Sequence, residues 1–421
     1  MKTRSTLTAL AVLIQAGIVA PSALAGPGDL DLSFGGDGKV ATNFTSGDDM
    51  AFGVAVQPDG KIVAVGSADF QNEFALARYT TDGSLDASFD ADGKVTTSFT
   101  GDHDSAHDVA IQADGKIVAV GTAGFESYAL ARYESDGSLD SSFGGDGKVL
   151  SDLTGGRDVA YAVTIQANGK IVVAGRSAGA RGRFAVARYE SDGNLDPAFG
   201  GDGIVFTNFT SRDDHARDVA IYPNGKVVAA GRAGRAGGRF ALARYESDGS
   251  LDTSFGGDGR VLTNFTSGDD YARGVAIQPN GRIVLAGGAA RAGGRFALVR
   301  YESDGSLDAS FGGDGKVLTN FTRGLDVALG IAIQSNRRIV AAGHAGGARL
   351  SPRNHKLAIA RYRANGALDR SFSGDGKRGL DFTSGDDWAE DVAIQPDGKI
   401  IAAGRAARAG GRFALARFSA A

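Results

Sequence analysis

Cysteine is absent from all 421 residues, which excludes a disulfide framework, a thiolate metal site and a cysteine nucleophile. Neither sign of charge dominates. Lys+Arg 45 against Asp+Glu 49 leaves a formal charge of −4, which argues against a general nucleic-acid binder. Tryptophan occurs once and histidine 5 times. No nucleophile elbow, phosphate-cradling loop or zinc-helix motif is present, so no catalytic residue is assigned.

Long apolar runs are missing too, except at the start. Lys2 and Arg4 precede the apolar stretch Leu7–Ala20, interrupted by Gln15, and then Ala23-Leu24-Ala25. This is the pattern of a secretory signal peptide cut after Ala25. The run falls short of the ~20 residues that a bilayer requires. No Cys follows the cut and no twin-Arg pair precedes it, so neither a lipoprotein anchor nor a twin-arginine route is expected. The expected product, residues 26–421, is one soluble domain in the periplasm or outside the cell.

Glycine is abundant: 64 of 421 residues, about twice the ~7% average. It does not recur strictly every third residue, which excludes collagen. The marker Leu-Asp-x-x-Phe starts at Leu30, Leu85, Leu139, Leu195, Leu251, Leu307 and Leu368. In the copy at Leu251 the segments Arg260–Phe265, Gly274–Gln278, Arg282–Gly287 and Arg295–Tyr301 are short and rich in Val, Ile, Phe and Tyr, as strands are. Pro279-Asn280-Gly281 reads as a hairpin turn. Seven such copies predict an all-β, seven-bladed β-propeller of four-stranded blades. The N-terminal strand Lys39–Phe44 is expected to complete the last blade beside the three C-terminal strands, which leaves no open sheet edge. A β-solenoid is the competing architecture, but it needs distinct capping units.

Residues repeated in every unit read as scaffold. Arg78, Arg132, Arg188, Arg244, Arg300, Arg361 and Arg417 are expected to pair with the marker aspartates Asp86, Asp140, Asp196, Asp252, Asp308, Asp369 and Asp31. The marker phenylalanines are expected between blades. The Asp-rich connection from Asp304 to Gly315 matches no calcium-loop spacing, and Asp in such turns ordinarily bonds its own backbone. No metal and no cofactor is expected.

The unit LDxSFGGDGKV…DVAIQPDGKIVxAG…FALARYxxDGSLD resembles the delta-60 repeat, a bacterial unit grouped with β-propellers of unknown function. The resemblance spans Leu30–Phe418. It implies a secreted or surface propeller and supplies no catalytic residues. The sixth unit departs most, with Asn365 at the turn and an enlarged loop from Gly343 to Lys356; the third enters with Thr154-Gly-Gly-Arg-Asp158.

Function is sought on the face shared by the loops entering the innermost strands and the loops between the second and third strands. An Asp stands in every entry loop, at Asp49, Asp104, Asp158, Asp214, Asp270, Asp326 and Asp387. A variable residue and then Ala follow: Met50, Ser105, Val159, His215, Tyr271, Val327 and Trp388 hold the variable place. All five histidines, His103, His107, His215, His344 and His355, are read into these loops, with no third ligand at a metal-site spacing. An Arg-Gly-rich arc occupies five units. The candidate ligand-binding set is Trp388, Tyr271, His215, Met50, Asp49, Asp214, Asp270, Asp387, Arg235, Arg291 and Arg408. Against it stand two plainer readings: the aspartates cap loop backbone, and the arginines pair with neighbouring aspartates. The expected function is a non-catalytic exported propeller that binds a ligand or serves as a scaffold. Its partner would be an anionic polysaccharide or another surface-associated polymer, and neither nucleic acid nor a membrane span is expected. A polysaccharide lyase or hydrolase at the channel mouth, and a structural matrix component, are the alternatives.

Overall fold

A computed structural model describes residues 25–420 except 70–71, 102, 125, 179–181, 212, 235–236, 291–293, 349–350, 384 and 408–410, and except the side chains of 290, 347–348, 351–354 and 407. The expected signal segment, apart from Ala25, lies outside the described residues. No described helix is long and apolar enough to cross a membrane.

The chain forms seven four-stranded antiparallel sheets. Blade 5 shows the pattern: Asp269–Ile277, Ile283–Ala290, Arg295–Tyr301 and Lys316–Thr319 are hydrogen-bonded in that order. The inner strands of blades 1 to 7 are Met50–Val56, Ser105–Ile111, Val159–Ile165, His215–Ile221, Asp269–Ile277, Val327–Ile333 and Asp386–Ile394. Each touches the next, and the last touches the first, which closes a ring around a central channel. Blade 7 takes its outer strand from the other end of the chain. Lys39–Thr42 pairs antiparallel with Gly411–Phe418, Lys39 opposite Ala416 and Thr42 opposite Phe413.

Outer strands are shorter than their apolar pattern suggests. In blade 4 the strand stops at Thr263, because the backbone N–H groups of Phe265 and Thr266 donate to the Asp270 carboxylate. The enlarged segment of blade 6 is not a loop but a long hairpin, Ile339–Ala348 against Ser351–Tyr362.

The second and third strands are buried on both faces, which is why they read as near-continuous apolar runs. Their side chains meet between blades. Val228, Leu242 and Phe255 on the blade 4 side pack with Ile283, Leu285 and Val299 of blade 5 in one cluster. Each such side chain contributes about 1.5–3 kcal/mol on burial.

The Arg–Asp pairs form in every blade. Arg244 Nε donates to Asp252 Oδ2 at 2.7 Å, its guanidinium lies 4.4 Å from the Phe255 ring centroid, and it also donates to the Ser303 carbonyl of the next blade. Arg417 makes the same contacts across the closure, to Asp31, Phe34 and the Thr81 carbonyl. Burial alone would raise the Asp31 pKa, but bonds from Ser33 and Lys399 and the Arg417 charge hold it down at about 2. The turn aspartates bond locally: Asp304 Oδ1 accepts from the Ser306 N–H at 2.9 Å and its hydroxyl at 2.6 Å.

Candidate functional site at the channel mouth

One glycine in the middle of each second strand shapes the site. A Cβ on Gly66, Gly121, Gly175, Gly231, Gly287, Gly343 or Gly404 would lie only 1.8–2.1 Å from a carbonyl oxygen of the inner strand. These glycines serve close backbone approach rather than a turn. The approach accompanies a β-bulge in each inner strand, between Ala51 and Gly53 in blade 1 and between Ala216 and Asp218 in blade 4. A bulge inserts one residue and re-aims its side chain. The seven inserted residues are Phe52, His107, Tyr161, Arg217, Arg273, Leu329 and Glu390. All of them line one cavity of about 500 Å³ at the channel mouth, together with Leu325, His344, His355 and Trp388.

The lining is chemically uneven. His107 stands edge-on to Phe52, with centroids 5.6 Å apart, and stacks on Tyr161 at 5.5 Å. Arg217 lies over the other part of this aromatic wall, 3.9 Å from the Tyr161 centroid. His107 Nδ1 lies 2.7 Å from the Ala160 carbonyl, so it carries the proton and Nε2 keeps its lone pair. Burial lowers the His107 pKa to about 4, so the ring is neutral. Burial also lowers Arg217, to about 10, and Arg273 adds like-charge repulsion. Neither Arg217 nor Arg273 forms an ion pair among the described residues. Glu390 is the carboxylate of the lining; burial raises it to about 7 against the pull of both arginines.

Directly after the bulge, Asp108, Asp218 and Asp391 alternate with small residues around most of the ring. Asp218 Oδ2 accepts from the Val275 N–H of the next blade at 2.6 Å, and Oδ1 from Val219 at 2.7 Å. Asp391 bridges to Val54 and Asp108 to Val163 in the same way. Gly53 and Gly330 let the inner strand of the next blade come close; a Cβ on either would lie 2.8 Å from the Cα of Asp108 or Asp391. Burial raises the pKa of all three aspartates, Asp218 to about 7.

Of the residues expected in the site, Trp388 lines the cavity. Its ring lies between the Arg405 guanidinium, 5.5 Å from the centroid, and His344 and His355, each at 6.2 Å. Its Nε1 is buried without a hydrogen-bond partner among the described residues. Tyr271, His215 and Met50 stand on the inner strands outside that lining. Tyr271 covers Gly288, and Arg273 stacks over it at 5.5 Å. His215 Nε2 lies 3.1 Å from Asp213. The ring aspartates turn inward: Asp49, Asp214, Asp270 and Asp387 are fully buried and each accepts from the backbone of its own entry loop, which makes them loop caps rather than ligand contacts. Arg235, Arg291 and Arg408 lie outside the described residues. Four of the five histidines sit on strands, not loops; His103 alone keeps the entry loop.

Three of the described arginines of the arc pair between blades. Arg176 meets Asp213 at 3.2 Å, Arg232 meets Asp269 at 3.2 Å and Arg405 meets Asp48 at 2.6 Å. In blade 6 the His355 ring and N–H take the equivalent aspartate, Asp386. At the junction of blades 5 and 6 both places are apolar: Gly288 replaces the arginine and Leu325 the aspartate.

The sequence reading missed the bulge residues. Their signal was present, since the position after the constant Ala also differs from unit to unit and by strict alternation shares a face with the variable residue before that Ala, but the sequence reading places only the latter on the rim.

A model of a β-propeller domain of unknown function, DUF5122, matches residues 57–89, 112–143, 166–199, 223–255, 278–311, 334–372 and 395–420. The chain belongs to this family. The DUF5122 segments carry the second and third strands and, in six of the seven, the marker, and none contains a bulge residue. No curated protein matches the chain in sequence. Among solved structures it is similar to a streptogramin B lyase, with 10% identity, a TM-score of 0.53 and coverage of 90% of this chain and 97% of that one. It is also similar to a catalytically inactive His-to-Ala variant of virginiamycin B lyase from Staphylococcus aureus with quinupristin, at 12% identity, TM-score 0.53, and coverage of 90% and 98%. At these identities the likeness shows the fold alone.

Proposed function

We propose that this DUF5122 propeller is an exported binding protein whose ligand, an organic anion, sits at the channel mouth. One observation carries the reading. Blades that are otherwise near-copies present seven side chains at one bulge, and six different residue types occupy it, including two arginines without an ion-pair partner among the described residues. Unlike polar groups converging in an otherwise apolar cavity are the ordinary signature of a small-molecule site. The ligand is a free acid or the acidic end unit of a polysaccharide, because the two arginines without an ion pair among the described residues lie inside a cavity of about 500 Å³, whereas Arg176, Arg232 and Arg405 on the rim are paired. Export rests on the basic-then-apolar N-terminal segment. The blade unit is a delta-60 repeat on the motif quoted above.

The test is a thermal-shift panel of carboxylates, uronates, sulfates and phosphates at low salt, run on the protein and on Arg217→Met. At least one anion should raise the melting temperature saturably in the protein and not in the variant. If no anion does so, the reading fails.

A second reading is catalysis in the same pocket. It is favoured by a neutral His107 with a fixed tautomer in the same cavity as Glu390, which burial raises to about 7. Turnover of a bound ligand that is lost in His107→Asn would establish it.

A further inference from the structure

We infer that the ligand of this site is an organic acid with an aromatic or branched apolar body, a reading that rests on the anion-binding function proposed above. The two arginines lie side by side in blades 4 and 5, and the next blade round presents Leu325 and Leu329. Arg217 is stacked on Tyr161, which occupies one face of its guanidinium and leaves the N–H edge as the donor surface. A carboxylate is flat and matches that edge with two parallel hydrogen bonds. The group bearing the carboxylate then meets the leucines of blade 6 and, next round the ring, Trp388 of blade 7.

The rim is apolar at the same sector. Blades 3, 4 and 7 each tie their second strand to the next blade with an Arg–Asp pair. Between blades 5 and 6 the pair is absent, and its places hold Gly288 and Leu325. Tyr271 lies where an arginine side chain would leave Gly288; a Cβ there would sit 2.9 Å from the Tyr271 ring. Leu325 packs on Gly294, whose Cβ would fall 2.6 Å from Leu325 Cδ1. Apolar side chains thus continue from the arginine pair outward, and a strongly hydrated sugar acid would lose water against them without a compensating bond.

The sequence holds a single tryptophan, and it lines this cavity, so its emission reports occupancy directly. The experiment titrates 4-phenylbutyrate, its neutral amide and glucuronate into the full chain, and follows Trp388 emission and melting temperature. We expect saturable binding of 4-phenylbutyrate at least tenfold tighter than of either comparison compound, with the preference over glucuronate lost in Leu329→Asn. Glucuronate binding as tightly as 4-phenylbutyrate would overturn this inference and leave the anion-binding reading standing. The amide binding as tightly as the acid would overturn both, and so would the absence of any response to the three probes. Loss of folding in Leu329→Asn is detected by circular dichroism; Leu325→Asn then reads the same preference, and its retention there counts against the inference.

Discussion

Gly231 faces the carbonyl oxygen of His215 so closely that a methyl group on Gly231 would lie 1.9 Å from it. That contact is part of the bulge that turns Arg217 into the channel. Gly231→Ala should therefore do two things at once. It should cost about 2–4 kcal/mol, the scale of a backbone clash in a packed core, and it should displace Arg217 from the pocket. Denaturant unfolding measures the first. Loss of the anion-dependent rise in melting temperature measures the second. An Ala substitution at Gly257, which has open space around it, is the control, although its positive φ carries a small strain of its own.

Closure depends on a buried pair. Arg417 Nε lies 2.9 Å from Asp31 Oδ2, and the two side chains are 4% and 12% exposed. Arg417→Met leaves Asp31 with less of its compensating charge and should destabilise by roughly 3–5 kcal/mol. Hydrogen exchange should rise first in Lys39–Thr42, the strand that comes from the far end of the chain. Unchanged protection there would contradict a closure held by this pair.

The upper rim is joined more weakly. Arg405 and Asp48 meet at 2.6 Å but are 20% and 24% exposed. A double-mutant cycle with Arg405→Gln and Asp48→Asn should give a coupling of roughly 0.5–1 kcal/mol that shrinks as salt is added. The same cycle at Arg244 and Asp252, which are 8% and 3% exposed, should be larger and insensitive to salt.

Protonation in the channel gives opposite pH signatures at two sites. Burial raises Asp218 to about 7 from an ordinary 3.8, so its contribution to stability is full below the ordinary value and is lost as pH rises through about 7. Asp218→Asn removes that loss, and the variant should gain on the native protein from about pH 4 to about pH 8, on the order of 1–3 kcal/mol. Burial lowers His107 to about 4 from 6.5, so its contribution is full above the ordinary value and is lost as pH falls through about 4. His107→Phe should therefore gain in the opposite direction, on acidification. Denaturant midpoints across the pH range check both slopes.

The recurrence of Leu-Asp-x-x-Phe by itself determined the number of blades, the exchange of an N-terminal strand into the last blade and the Arg–Asp pair in each blade. These features are local or periodic, so a repeated pattern of apolar runs and turn glycines carries them in full. The side chains that face the channel were decided only by the tertiary structure. The bulge between Ala389 and Asp391 leaves Glu390 without a cross-strand partner and shifts the alternation by one residue beyond it, and Glu390 joins Trp388 in the cavity lining. That rim arginines pair with neighbouring aspartates was legible in the sequence, but the partners were not, because Arg232 and Asp269 belong to different blades and meet only when the sheets stand side by side around the axis. Repetition fixes what every blade shares; the ring brings together the places where the blades differ.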